Sequence, residues 1–387
     1  MDFGFTQEEE AFRKEIREFL RQELGPERKE RTPLELFNPD FSRKLGEKGW
    51  LGVGWPKEYG GLGRPYTQQL IYGEEMLYHR APAGAHILAQ NMVGPTLIAV
   101  GSEEQKREFL PRILKGEIVF CLGYTEPNAG SDLANCQTTA VADGDDYIIN
   151  GQKLFTSFAG QADYAWMTVR TDPNAPKKHR GLSMFIVDMK TPGITVGKLD
   201  TMWDYALYEV FFDNVRVPKT AVVGELNQGW YYLTTALDHE RIFMGATVAQ
   251  HRRLFENLVQ YAKETHHNGK PLSKDPVIRQ RLAQLAIDLE IGRLFGYRVA
   301  WLLGRGIVPF SEASITKVFT SELERRLANT AMQILGLHGQ LEREPWAPFN
   351  GYMEWEYRFS IMMAIGGGSN EIQRMIIAIA GLGLPRP

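Results

Sequence analysis

The sequence predicts an α+β chain laid out as three successive blocks: helical, then stranded, then helical. Three observations predict it. Residues 6 to about 116 carry apolar side chains mostly at helical spacing. From Ile118 to about Glu225 the pattern shifts to short alternating or β-branched runs. After Gly224 the helical period returns and persists. Helices and strands segregated along a chain form separate layers. The expected domains are therefore 1–118 (α-helical), 119–228 (β) and 229–387 (α-helical).

Each element has a local reason. Thr6 and Glu9 form a capping-box pattern ahead of Phe12, Ile16 and Phe19-Leu20, which opens the first helix. A second helix is expected from about Ser102 to Leu114. Between them, Gly49-Trp50-Leu51-Gly52, Trp55-Pro56 and Tyr59-Gly60-Gly61 read as a loop. Strands are expected at Ile118–Leu122, Asp146–Ile149, Tyr164–Arg170, Leu182–Asp188 and Val210–Val217, with Asn150-Gly151 as a hairpin signal and Pro192-Gly193 as punctuation. Further helices are expected at about 229–265, 275–304, 311–336 and 370–380.

Composition excludes several classes. With 387 residues the chain can bury a large core, and its net charge of −3, without a basic block, argues against a nucleic-acid partner. Cys121 and Cys136 have no metal or redox spacing, which fits a reducing compartment. The N-terminus is acidic and amphipathic, unlike a signal or transit peptide, and no apolar run is long enough to span a bilayer; a cytoplasmic location without a membrane span is expected. His239-Glu240 lacks the second histidine of H-E-x-x-H, since Phe243 stands there, so no metal site is expected.

The most specific stretch is Tyr124-Thr125-Glu126-Pro127-Asn128-Ala129-Gly130-Ser131-Asp132, which follows the Ile118–Leu122 run. Small, polar and glycine residues after a strand expose backbone N–H groups and hydroxyls, which can hold a planar hydrogen-bonding ring and a diphosphate. This run resembles the flavin-binding signature of the acyl-CoA dehydrogenases. The resemblance covers essentially the whole chain: Trp55-Pro56-Lys57-Glu58-Tyr59-Gly60-Gly61, Asn150-Gly151-Gln152-Lys153, Phe212-Asp213-Asn214-Val215-Arg216-Val217-Pro218, Gln333-Ile334-Leu335-Gly336 and Ile372-Gln373-Arg374 each look like family segments. It implies an N-terminal helical domain, a central β-barrel and a C-terminal four-helix bundle. It also implies FAD, an acyl-CoA substrate, electron-transfer flavoprotein as electron acceptor, and assembly as a dimer or tetramer, each FAD site being completed by a neighbouring subunit. The cofactor-binding residues implied are Leu122, Tyr124, Thr125, Gly130, Ser131, Phe155, Ser157, Gln333, Gly336, Ser369 and Glu371; Phe155 and Ser157 stand where a Trp and a Thr are usual.

The family removes an α-proton from the thioester while a β-hydride leaves, which requires a carboxylate base and donors to the thioester oxygen. Many members carry the base in a Tyr-Glu-Gly-Thr loop before the last helix. Here that loop is Ile365-Gly366-Gly367-Gly368-Ser369, with Gly367 at the Glu position. A second branch, as in isovaleryl- and long-chain-type members, places the base on a long helix in a motif like Asp-x-Glu-Arg. Asp238-His239-Glu240-Arg241 matches that motif, so the resemblance makes Glu240 the base. A surface ion pair or a helix-dipole contact is the alternative role for Glu240. Asp238 and Arg241, with Ser131, match substrate-contacting positions; a solvated helix residue and a structural ion pair are the alternatives for Asp238 and Arg241. Gly367 keeps a backbone N–H for the thioester oxygen, a donor contributing on the order of 3 kcal/mol in a transition state; a hinge before the helix is the alternative.

The chain departs from the family where an Arg-x-Thr-Phe-Gly-Lys loop usually grips the FAD diphosphate of the partner. Here the run is Thr265-His266-His267-Asn268-Gly269-Lys270, and Arg279 or Arg281 are the nearby cations. The segment from Gln333 to Arg374 is longer than usual and holds Trp346, Phe349, Trp355 and Tyr357. Two further readings therefore stand beside an independent dehydrogenase: a subunit of a hetero-oligomer with a homologous chain, sharing FAD or non-catalytic, and an acyl-CoA oxidase-like flavoenzyme.

Overall fold

The computed structural model describes residues 4–25, 37–203, 207–234, 245–343 and 345–385. The chain divides into two units: Glu35–Arg64 with Pro82–Glu240, and Met1–Leu34 with Pro65–Ala81 and Arg241–Pro387.

The first unit holds the sheet. Its strands are β1 Phe120–Gly123, β2 Thr139–Asp143, β3 Asp146–Lys153, β4 Tyr164–Arg170, β5 Leu182–Asp188, β6 Ile194–Lys198, β7 Tyr208–Pro218 and β8 Val222–Val223. They pair in the order β6-β7-β3-β2-β4-β5-β8, with β1 parallel to β4. The expected strands at 118–122, 146–149, 164–170, 182–188 and 210–217 all form, with small shifts at their ends. The barrel takes the form of an open sheet: among the described residues no pairing joins β6 to β8, and β8 is too short to close a ring of tilted strands.

Both faces of β4 and β5 are covered, so buried residues follow one another along each strand, the polar Thr168 and Ser183 among them. Ala165, Met167, Val169, Phe185 and Val187 share one core with Tyr147, Ile149, Val210, Phe212, Val215 and Val217. Trp166, Met184 and Ile186, on the opposite face, pack with Phe109, Leu110 and Ile113 of the Glu103–Leu114 helix. That helix starts in a capping box between Ser102 and Gln105, and the Gln105 amide donates to Thr220 O and Val222 O, both at 2.8 Å.

One expectation is corrected. Asn150-Gly151 is not a hairpin turn; it is an irregularity inside β3, where the register against β7 shifts between Ile149 and Gly151. Asn150 Oδ1 accepts from Asn214 N at 2.8 Å, and Gly151 has φ +149° with a would-be Cβ 2.5 Å from Thr138 Oγ1. A β-bulge shares the glycine preference of a turn, so dipeptide chemistry alone does not separate them. The β2–β3 hairpin turns instead at Gly144-Asp145, closed by the Asp143–Asp146 pair.

The second unit holds the helices Gln7–Leu24, Tyr66–Tyr78, Val248–Glu264, Pro276–Gly304, Phe310–Leu335, Tyr352–Met363 and Asn370–Ile376. Thr6 and Glu9 make the expected capping box. The first helix buries Phe12, Ile16, Phe19 and Leu20, and its Arg13 reaches Glu74 at 2.9 Å and Glu75 at 2.7 Å on the Tyr66–Tyr78 helix. Helices expected at 275–304, 311–336 and 370–380 are present, the last passing into a wider turn at Ile377–Gly381. Of the 229–265 expectation, residues 229–234 and Val248–Glu264 are helical.

Candidate flavin and acyl-CoA site

In the sheet unit, β1 delivers the chain into the Tyr124–Asp132 loop, and β3 delivers it into Leu154–Ser157. Leu154 N donates to Thr125 O at 2.8 Å, so the two segments lie side by side. The loop closes on itself through reciprocal Glu126–Ala129 backbone bonds of 3.1 Å. Tyr124 is fixed by Trp166 Nε1, which donates to its hydroxyl at 2.9 Å. Leu122 and Thr125 are half-buried, whereas Gly130 and Ser131 are exposed, and among the described residues nothing lies within 4 Å of a would-be Cβ on Gly130. Phe155 is 56% exposed although apolar, with φ +54°; Ser157 is half-buried. Between them, the buried Thr156 Oγ1 has no hydrogen-bond partner among the described residues. An exposed aromatic ring, hydroxyls and an unobstructed glycine on adjoining segments fit a planar cofactor with hydrogen-bonding edges.

Two residues of these segments, absent from the sequence-derived site, meet beneath them. Lys153 is fully buried, and its Nζ lies 2.7 Å from Glu126 Oε1 and 3.4 Å from Tyr124 O. The Glu126 carboxylate also accepts from Gln137 N (2.6 Å), Thr138 N (3.0 Å) and the Cys136 thiol (2.9 Å). Burial alone would raise the Glu126 pKa; Lys153 and the other donors bring it down to about 2. Both residues sit in motifs the sequence displays, but nothing in the sequence shows that they face each other.

In the helical unit, the Ile365–Ser369 loop is closed by Asn370 N donating to Ala364 O at 2.9 Å. Buried Lys317 donates to Asn370 Oδ1 (2.8 Å) and Ala364 O (3.3 Å), and Ser321 Oγ to Asn370 Oδ1 (3.1 Å). Gly367 and Gly368 have φ +65° and +80°, and among the described residues nothing lies within 4 Å of a would-be Cβ on Gly367. Ser369 caps the last helix by accepting from Ile372 N at 3.4 Å, and Glu371 is exposed in its first turn. Gln333 is exposed and accepts from Arg281; Gly336, with φ +61°, ends the Phe310–Leu335 helix. Asp238, Glu240 and Arg241 lie outside the described residues. The departing Thr265–Lys270 run is a small hairpin turning at Asn268-Gly269, with φ +50° and +74°.

The helical unit also buries His251, Glu324 and Glu356, one ligand-type atom from each lying within 4.8 Å of the others. Arg80 already supplies positive charge there: its guanidinium stacks over Tyr352 at 3.5 Å, and the Tyr352 hydroxyl donates to Glu356 at 3.0 Å.

Comparison with known proteins decides the family. Residues 6–117, 121–215 and 227–382 match the N-terminal, middle and C-terminal domains of acyl-CoA dehydrogenases. The chain belongs to the acyl-CoA dehydrogenase family. It is 38% identical over 403 residues to acyl-CoA dehydrogenase FadE26 of Mycobacterium tuberculosis, covering 100% of this chain and 99% of that one. Among solved structures it superposes on the Tcur3481-Tcur3483 steroid ACAD with a TM-score of 0.93, 38% identity and full coverage of both chains. The ChsE4-ChsE5 complex from Mycobacterium tuberculosis matches with a TM-score of 0.92, 38% identity and full coverage of both chains. Acyl-CoA dehydrogenases are FAD-dependent flavoproteins that oxidise acyl-CoA, and this chain is such an oxidoreductase. Among the described residues no helix is long and apolar enough to cross a membrane.

Proposed function

We propose that this chain converts an acyl-CoA thioester to its trans-2-enoyl-CoA with Glu240 as the base that takes the α-proton. The carrying observation is the Ile365–Ser369 loop: the position that holds the carboxylate in many members is Gly367, at φ +65° and without a side chain. The Asp238-His239-Glu240-Arg241 motif offers a carboxylate in its place. Bound FAD supplies the hydride acceptor. Toward it, Phe155 offers a ring face, Thr125 and Ser157 offer hydroxyls, and Leu122, Tyr124, Gly130 and Ser131 shape the loop. Gly367 N–H is assigned to the thioester oxygen, with Asp238, Arg241 and Ser131 holding the substrate. Gln333 and Gly336 complete a FAD site of a neighbouring subunit, and Ser369 and Glu371 also bind FAD.

The acyl group we propose is bulky and ring-containing, of the steroid kind. Two features support this. The loop replaces side chains with three consecutive glycines, and the Tcur3481-Tcur3483 neighbour is titled a steroid ACAD. We further propose that the chain pairs with a homologous subunit. The ChsE4-ChsE5 neighbour is a complex and the Tcur3481-Tcur3483 neighbour carries two component names, and the Thr265–Lys270 run lacks the usual diphosphate-gripping Arg. Electron-transfer flavoprotein is the proposed acceptor.

Anaerobic titration with straight, branched, aromatic and steroid acyl-CoAs tests the reading. Flavin bleaching is expected with ring-bearing substrates, and Glu240→Gln should slow it by about 10²–10⁴-fold while FAD stays bound. Wild-type bleaching rates in Glu240→Gln would place the base elsewhere. Oxygen consumption without an added acceptor would instead favour an oxidase.

A further inference from the structure

We propose that Glu126 and Lys153 are positioning residues for the flavin: their buried ion pair sets the spacing between the two segments that face the cofactor. This rests on the reading above that Tyr124–Asp132 and Phe155–Ser157 hold FAD.

The geometry is a pair of crossties. Thr125 O and Leu154 N join at 2.8 Å, and the residue after Thr125, Glu126, joins the residue before Leu154, Lys153, at 2.7 Å. One tie lies in the backbone and the other in side chains, in the same antiparallel relation. Lys153 Nζ also reaches Tyr124 O, and Glu126 gathers Gln137 N, Thr138 N and the Cys136 thiol. Glu126 and Lys153 are thus buried and directed into each other, while Asp132 at the end of the loop is exposed beside Lys178. On the same segments Phe155 is exposed and Thr125 and Ser157 are half-buried. A ring cofactor bound between a loop edge and an aromatic face is sensitive to that spacing, because misplacement of the order of an ångström disrupts both contacts.

The positioning role predicts an effect on cofactor binding beyond any effect on folding. Removing one partner strands the other as an unpaired buried charge, and the segments must move to hydrate it. Removing both relieves that penalty but loosens the tie. The full chain, co-expressed with its homologous subunit where one is needed, is stripped of FAD and titrated with FAD. Dissociation constants, visible circular dichroism of the bound flavin and the melting temperature of the apoprotein are measured. Glu126→Gln and Lys153→Met should each weaken FAD binding by about tenfold or more and alter the flavin dichroism. The double variant should lie between them and the wild type. Wild-type dissociation constants and dichroism in folded single variants, with only the apoprotein melting lowered, would overturn the proposal and leave the pair structural. If the singles do not fold, the double variant decides: several-fold weaker FAD binding supports the tie, and wild-type affinity overturns it. A wild-type protein that binds no FAD would overturn the underlying reading as well, which separates the two failures.

Discussion

Two buried carboxylate sites in this molecule behave in opposite ways. In the sheet unit, Glu126 is held down at about 2; in the helical unit, Glu324 and Glu356 are both pushed up to about 8. Desolvation is the largest influence in all three and raises each. The difference is what reaches each carboxylate: for Glu126 the Lys153 charge lowers it most, joined by the Cys136 thiol and backbone donors. Glu126 lies in a loop beside the Gln137 and Thr138 N–H groups, which are free to donate to it. Glu324 and Glu356 project from helices, whose N–H groups are already committed to carbonyls one turn back. They depend on side chains: each other, His251, the Tyr352 hydroxyl and Arg80, whose charge lowers Glu356 without offsetting its burial. Glu75 shows the other outcome for a helical carboxylate. Burial raises it too, but His79, Arg17 and Arg13 reach it and bring it to about 2.

The largest effect is expected from breaking the satisfied site. Lys153→Met leaves Glu126 buried without its cation, which costs about 3–5 kcal/mol. Chemical denaturation of the apoprotein checks this, and a loss below about 1 kcal/mol would show that the loop hydrates the carboxylate readily.

The unsatisfied site should give a pH dependence of opposite sign. Glu324 and Glu356 have folded pKa values raised above the ordinary 4.5, so the native state binds more protons there. Their contribution is fully present below about 4.5 and lost as pH rises toward and through 8. His251 is depressed to about 4 by burial, so its contribution is present above 6.5 and lost as pH falls through 4. Stability measured between pH 6.5 and 9 should therefore fall with rising pH. Glu356→Gln should flatten that fall, with a benefit relative to wild type of the order of 1 kcal/mol or more at pH 9. An unchanged slope would mean the pair is not the source. Glu126 contributes in the other direction, its stabilisation being lost only as pH drops from 4.5 through about 2.

Much of the framework was legible because it is local. Thr6-Glu9 and Ser102-Gln105 cap their helices through contacts three residues apart. The strand β5 is where the Leu182–Asp188 run places it. What failed was chemistry shared by two structures. Asn150-Gly151 carries a turn's composition but serves a bulge, while Asn268-Gly269 makes the two-residue hairpin turn, in a run read only for its missing arginine. Of the site, the flavin signature and the glycine loop were visible as motifs. The Glu126–Lys153 tie was not, because its partners are 27 residues apart and meet only once β1 and β3 deliver their loops to one place. The His251, Glu324 and Glu356 cluster was equally hidden, since each residue alone reads as an ordinary helical side chain.

The smallest expected effect sharpens the account of the satisfied site. Cys136 Sγ lies 2.9 Å from Glu126 Oε1 and 3.3 Å from Lys153 Nζ, in a fully buried position. A thiol is a weak donor, so of the four groups that hold Glu126 it should contribute least. Its own proton is held more firmly than usual, chiefly by burial, which keeps it a donor rather than a competing anion. Cys136→Ser exchanges that thiol for a better donor on a smaller atom. The gain in hydrogen bonding and the loss of packed sulfur oppose each other, and the net change should stay within about 1 kcal/mol. FAD affinity should remain within about threefold of wild type, since a charged partner and two backbone donors still hold the carboxylate. A loss as large as that of Lys153→Met would show that the thiol, rather than the ion pair, sets the position of the loop.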